Sequence, residues 1–149
     1  MSGPYENTGV SVSQSKGDIE KLLRNRGARG MQLESAWGEG GETEVCRVRF
    51  AWPLTDDIMQ TVRLEVHPLP PYKPERANAK GITADQRERQ AWRGLYWYLK
   101  SMMEAAEFGL LKFEDVFMSF FESADGRTIG EVVIPQLEAG RLLLPKGGS

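Results

Sequence analysis

Arg89, Arg93, Trp97 and Lys100 stand three or four residues apart. On an α-helix that spacing gathers two guanidinium groups, an indole and an ammonium group on one face. Such a face suits a nucleic acid, because the cations neutralise phosphates and the ring stacks on a base. It equally suits a protein partner, since Trp, Tyr and Arg dominate interface hot spots. A further reading needs no partner at all: Trp97 and Tyr98 pack beneath the C-terminal helices. Two other basic groups accompany this one. Arg47, Arg49 and Arg63 lie at alternate positions of two strand-like runs and project together if those strands pair. Opposite them, Glu34 and Glu65 offer cross-strand partners. Lys73, Arg76 and Lys80 lie in PLPPYKPERANAKG, residues 68–81, whose four prolines make an extended loop beside Arg87 and Arg89.

Catalytic chemistry finds no comparable footing. His67 is the only histidine and Cys46 the only cysteine, on opposite face parities, so no Cys–His pair forms. Zinc needs three or four ligands at regular spacing, and none is present. GEGGE, residues 38–42, lacks the lysine and hydroxyl residue of a phosphate loop. Asp56–Asp57 and Glu114–Asp115 are sequence neighbours, which point apart rather than together as an acid–base pair. A Mg²⁺ site from Asp56, Asp57 and Glu65 is the remaining, weakest metal reading. The expectation is a protein without enzyme activity, metal or cofactor.

With 149 residues, 40% hydrophobic and 27% charged, the chain reads as one domain over residues 1–149, with loose tails at 1–8 and 141–149. The formal net charge is −2, which gives no overall attraction to nucleic acid or an anionic membrane. That total hides segregation. Residues 63–100 carry eight basic and four acidic side chains, whereas residues 104–125 carry one basic and six acidic. A single cysteine excludes an internal disulfide. No apolar run approaches a membrane span and the first residues lack a signal-peptide core, so a cytoplasmic location without membrane contact is expected.

The elements that must position these groups are marked by period and caps. Val10 and Val12 alternate with serines as a short strand would. Ser15 then caps a helix with the stripe Ile19, Leu22 and Leu23, ended at Gly27. Met31–Trp37, Val45–Trp52 and Thr61–His67 alternate with period 2, predicting an antiparallel meander with one apolar and one polar face. Thr83 and Gln86 form a capping box for a long helix from Ala84 with the buried stripe Trp92, Leu95, Tyr96, Leu99, Met102, Met103 and Ala106. On the wheel Arg93 and Trp97 fall opposite Leu95 and Leu99, in water. Gly109 stops this helix. Phe113–Phe121 forms a short amphipathic helix. Thr128 and Glu131 cap a last helix that Pro135 kinks or ends early. Leu142, Leu143 and Leu144 follow in the tail and need cover.

The fold class expected is α+β: a three- to four-stranded, mainly antiparallel sheet packed against a long helix, with two further C-terminal helices. Its α-β-β-β-α core has the same order of elements as the double-stranded-RNA-binding domain, a likeness of topology without that family's basic cluster at the start of the last helix. Residues 89–130 resemble small, largely uncharacterised proteins of bacteriophages and prophages. Arg89, Gln90, Trp92 and Arg93, then Phe113 and Glu114, then Asp125 to Thr128 and Gly130 carry the resemblance. It implies a mobile-element setting and no activity. The functional expectation is an accessory protein that binds nucleic acid or its processing machinery. The alternative is a protein-binding module, such as an inhibitor of a host enzyme, using the acidic 104–125 surface or the aromatic face. A homodimer held by the ring-rich helix is a third reading.

Overall fold

The computed structural model describes residues 9–75 and 80–141 of the chain. The order of elements is α1 (Val12–Arg26), β1 (Gly30–Trp37), β2 (Thr43–Pro53), β3 (Met59–Val66), α2 (Ala84–Glu107), α3 (Phe113–Phe117), a 3₁₀ turn (Met118–Phe120) and α4 (Ile129–Glu138). The strands form one antiparallel sheet in the order β1-β2-β3. This is the expected α+β architecture, α-β-β-β-α in its core with two C-terminal helices.

Period 2 divides the sheet into two unlike faces. Cys46, Val48, Phe50, Val62 and Leu64 are buried against Ile19, Leu22 and Leu23 of α1 and Trp92, Leu95, Leu99, Met102 and Met103 of α2. Helices α1 and α2 also pack on one another, so the domain has two layers. The α3 segment closes the end of the core with rings. Phe113 stacks on Trp52 at 4.4 Å and on Phe117 at 4.5 Å, and Phe117 meets Phe50 edge-on at 6.0 Å. Behind α3 the chain touches the outer edge of β3. Phe121 bridges to Val62, and the Glu122 amide donates to the Thr61 carbonyl. A tight hairpin from Glu122 to Thr128 then leads into α4.

Caps fix the helix ends, and two of the three follow the sequence expectation. Thr83 with Gln86 and Thr128 with Glu131 both form reciprocal capping boxes. The first helix begins a turn earlier than expected. Ser11 accepts from the Gln14 amide at 3.1 Å, there is no strand at Val10–Ser13, and Ser15 is a buried interior residue. Both serines have the right chemistry, and starting at Ser11 adds Val12 to the apolar contacts. Gly27 closes α1 at φ 112°, a backbone conformation that costs an L side chain strain. Pro135 neither ends nor shortens α4, which runs on to Glu138. The expected helix over Phe113–Phe121 is an α-helical turn and a 3₁₀ turn instead. The tail leucines 142–144 lie outside the described residues. Among the described residues no helix is long and apolar enough to cross a membrane.

Candidate functional site

The basic groups singled out in the sequence meet different fates. On the polar sheet face, strand register sets Gln32, Arg49 and Arg63 in one row and Glu34, Arg47 and Glu65 in the next. The three arginines do project together, and carboxylates engage all of them. Arg47 donates to Glu65 at 2.7 Å and to Glu34 at 3.0 Å. Arg49 donates through Nε and Nη2 to the two oxygens of Glu122 at 2.8 and 2.9 Å, and to Gln32 at 2.7 Å. Arg63 donates to Glu65 at 2.9 Å, to the Gly126 carbonyl at 3.1 Å and to Glu131. Its Nε also lies 3.2 Å from Glu122, without the alignment of a hydrogen bond.

Glu122 therefore sits between two guanidinium groups that face each other across β2 and β3. The hydrogen bonds from Arg49 hold its carboxyl below the usual glutamate range, against burial, which pushes it up. Glu65 is lowered as well. Burial raises it, and the bond from Arg47 with the charges of Arg47 and Arg63 more than offsets that rise. The hairpin presenting Glu122 is itself tied. Asp125 accepts from the Ser123 hydroxyl and from the Arg127 amide and guanidinium, which lowers its carboxyl too. This sheet face is a neutralised ion-pair lattice that anchors the C-terminal segment.

On α2 the expectation for Arg93 is overturned. Arg93 is only 8% exposed. Its Nη1 and Nη2 donate to Asp18 Oδ2 of α1 at 2.8 and 2.9 Å, and its guanidinium lies 4.4 Å from the Tyr96 ring centre. The side of α2 opposite Leu99 is thus partly taken by α1 and not by water. Arg89 pairs with Asp85 at 3.4 Å. Trp97 is half-buried outside the core cluster, edge-on to Tyr96 at 5.6 Å with the Lys100 ammonium 5.0 Å above its ring. Lys73 and Lys80 are exposed. Arg76 lies outside the described residues. Of the basic residues singled out, Lys73, Lys80 and Lys100 make no ion pair among the described residues.

Exposed apolar side chains gather elsewhere. Phe108 is 72% exposed, Leu110 78%, Leu111 51%, Met118 54% and Tyr98 52%. They stand on the second half of α2, the loop after it and the 3₁₀ turn, and these segments pack in succession, α2 on α3 and the 3₁₀ turn on α4. The Tyr98 ring meets Phe120 edge-on at 6.5 Å, tying α2 to the 3₁₀ turn. Ile134 and Leu137 of α4 are exposed on the neighbouring element. Gly130 of α4 sits so close that a Cβ there would lie 3.0 Å from the Ser119 carbonyl oxygen. Glu104, Glu114 and Glu138 border the same segments and make no ion pair among the described residues. Beside Glu107, a cavity of about 300 Å³ opens between Asn25, Arg26, Trp52, Met103, Ala106 and Phe113.

The acidic 104–125 stretch is not one surface: Glu104 and Glu114 stand on the outside, whereas Glu122 is nearly buried between Arg49 and Arg63, and the exposed apolar residues of the stretch were not among the sequence expectations. The available signal was Phe108, Leu110 and Leu111. These large residues flank the helix stop at Gly109 and fit no periodic stripe. Among the described residues no cluster of His, Cys, Asp or Glu is arranged to hold a metal ion. Cys46 is fully buried, and burial together with the nearby Glu88 charge pushes its thiol up to about 12, against the lowering effect of Lys16. Comparison with protein-family models, curated proteins and solved structures finds no match to this chain.

Proposed function

We propose that this protein is a non-catalytic accessory module that binds another protein through the apolar, acid-bordered surface at the end of α2. The carrying observation is the exposure of Phe108, Leu110, Leu111 and Met118 beside carboxylates without ion pairs. A folded domain gains nothing by holding large apolar side chains in water, and contiguous exposed patches of this sort mark contact surfaces. The charge around them selects a partner with a basic rim. The neighbouring cavity, lined by Trp52, Met103 and Phe113 together with the Arg26–Glu107 ion pair, offers room for an anchoring side chain. The ion-pairing of Arg47, Arg49, Arg63 and Arg93 weighs against a nucleic-acid contact, because a paired guanidinium releases no counterions from a phosphate backbone. The resemblance of residues 89–130 to phage and prophage proteins supports a mobile-element setting, in which the partner is a host or phage enzyme that the module restrains or recruits.

Tagged protein expressed in its native cells tests this reading. The wild type is expected to retain a specific protein that survives nuclease treatment, and the Phe108→Ser/Leu110→Ser variant is expected to lose it. Retention that nuclease abolishes, together with gel shifts of DNA or RNA that weaken steeply with salt, would transfer the function to Lys100, Trp97 and Arg89.

A further inference from the structure

The two edges of the sheet are treated differently. The outer edge of β3 is met by the chain's own Phe121–Glu122. Among the described residues nothing pairs with the outer edge of β1. That strand, GMQLESAW, is eight residues long and contains no proline and no lysine. An edge strand of that length and composition presents an unprotected row of backbone donors and acceptors. It ends in Trp37, which is 72% exposed. Beside its other end a groove of about 390 Å³ opens between α1 and β1, lined by Glu20, Leu23, Arg24, Ala28, Arg29 and Met31.

We propose that two copies of this chain join by antiparallel pairing of their β1 strands about Leu33, with Trp37 of each copy seated in the α1–β1 groove of the other. Geometry selects the register. In an antiparallel pair, directly opposed residues point to the same face, so a two-fold axis must bring like parities together. Centring on Glu34 would set two glutamates against each other. Centring on Gln32 would leave Trp37 opposite the end of α1, beyond the strand. Centring on Leu33 opposes Leu33 to Leu33, Gln32 to Glu34 and Met31 to Ser35. It also opposes Arg29 to Trp37. Trp37 shares its parity with Met31 and Leu33, the face on which α1 lies, so its indole enters the groove beside the guanidinium of Arg29. The one irregularity in the β1–β2 pairing falls between Ala36 and Trp37 and places its extra residue, Glu44, on β2, so β1 itself gains no residue there. The product is a continuous six-stranded sheet carrying two copies of the α2-end surface, and it does not depend on what that surface binds.

Sedimentation of the full chain from micromolar to hundred-micromolar concentration tests the assembly. A mass approaching twice 16.7 kDa is expected. Gln32→Glu, which keeps its acceptor for Arg49 and faces Glu34 of the second copy, is expected to weaken the dimer by about tenfold or more, as is Trp37→Ala. Cysteine pairs test the register. Oxidised Leu33→Cys is expected to give a covalent dimer. Gly30→Cys and Ala36→Cys, which face Ala51 and Val45 within the chain and so stay clear of Cys46, are each expected to stay uncrosslinked alone and to crosslink when mixed, since only directly opposed positions come within disulfide reach. The mixed pair carries the test if Leu33→Cys does not fold. A monomeric mass at every concentration, or crosslinking indifferent to position, overturns the proposal.

Discussion

Replacing Glu122 by glutamine removes one charge and leaves the shape. Glu122 has a side chain only 11% exposed, and it neutralises Arg49 and Arg63, which face each other across β2 and β3. A neutral amide has one acceptor oxygen where the carboxylate has two, so one of the two Arg49 hydrogen bonds is lost. A hydrogen bond to a charged group contributes about 1.5–3 kcal/mol net. The uncancelled Arg49–Arg63 repulsion adds to this, and it is softened because Arg49 is 34% exposed and partly screened by water. The expected loss is about 2–3 kcal/mol, which for a domain of this size lowers Tm by roughly 5–10 °C. Urea unfolding followed by far-UV circular dichroism reads it as a lower midpoint at unchanged slope. The pH dependence separates charge from packing. Because the folded carboxyl lies below its ordinary range, its contribution is complete above the unfolded pKa and disappears as pH falls through the folded one. The gap between wild type and variant should be full at neutral pH, begin to narrow only as the pH falls below the ordinary glutamate range, and close in stronger acid. A gap under about 0.5 kcal/mol at neutral pH, or one that persists unchanged in acid, would refute the role given to the lattice.

Three further expectations follow from the packing. Asp18→Ala leaves the nearly buried Arg93 without its partner and should cost about 2 kcal/mol, discounted from a fully buried pair because Asp18 is 34% exposed, as read by urea unfolding. Thr83→Ala removes the cap of α2 and should cost about 1 kcal/mol by the same measurement, with helical ellipticity nearly unchanged in the folded state. Cys46 should resist alkylation and aromatic disulfides at pH 8 in the native protein and react fully in denaturant. Rapid native labelling would contradict its burial and raised pKa.

Much of the architecture was legible because local chemistry repeats it. The alternation around Cys46, Val48 and Phe50 announced β2, and the Thr83–Gln86 and Thr128–Glu131 pairs placed two helix starts. What escaped depended on distant partners. A helical wheel ranks Arg93 by its own neighbours, whereas its environment is set by Asp18, on a helix that the whole sheet separates from it in sequence. Cross-strand Arg–Glu pairing was readable from Glu34 and Glu65. Glu122 was not, since only the hairpin after the 3₁₀ turn brings it under Arg49. The rings of Phe113, Phe117 and Phe121 read as one amphipathic helix, whereas the segment is two short turns, with Phe113 stacked on Trp52 and Phe117 edge-on to Phe50. Exposure at Phe108–Leu111 was hidden for a related reason. Apolar residues in a loop look like core until the core is seen to be filled without them.

Amide hydrogen exchange on the purified complex with its partner addresses the binding surface most directly. Slowed exchange on binding should fall on residues 107–118, at the end of α2 and the segment after it, with residues 45–65 of the sheet unchanged. Protection confined to residues 89–100 or to the arginine-bearing strands, with residues 107–118 unaffected, would contradict the assignment of the partner to this apolar surface.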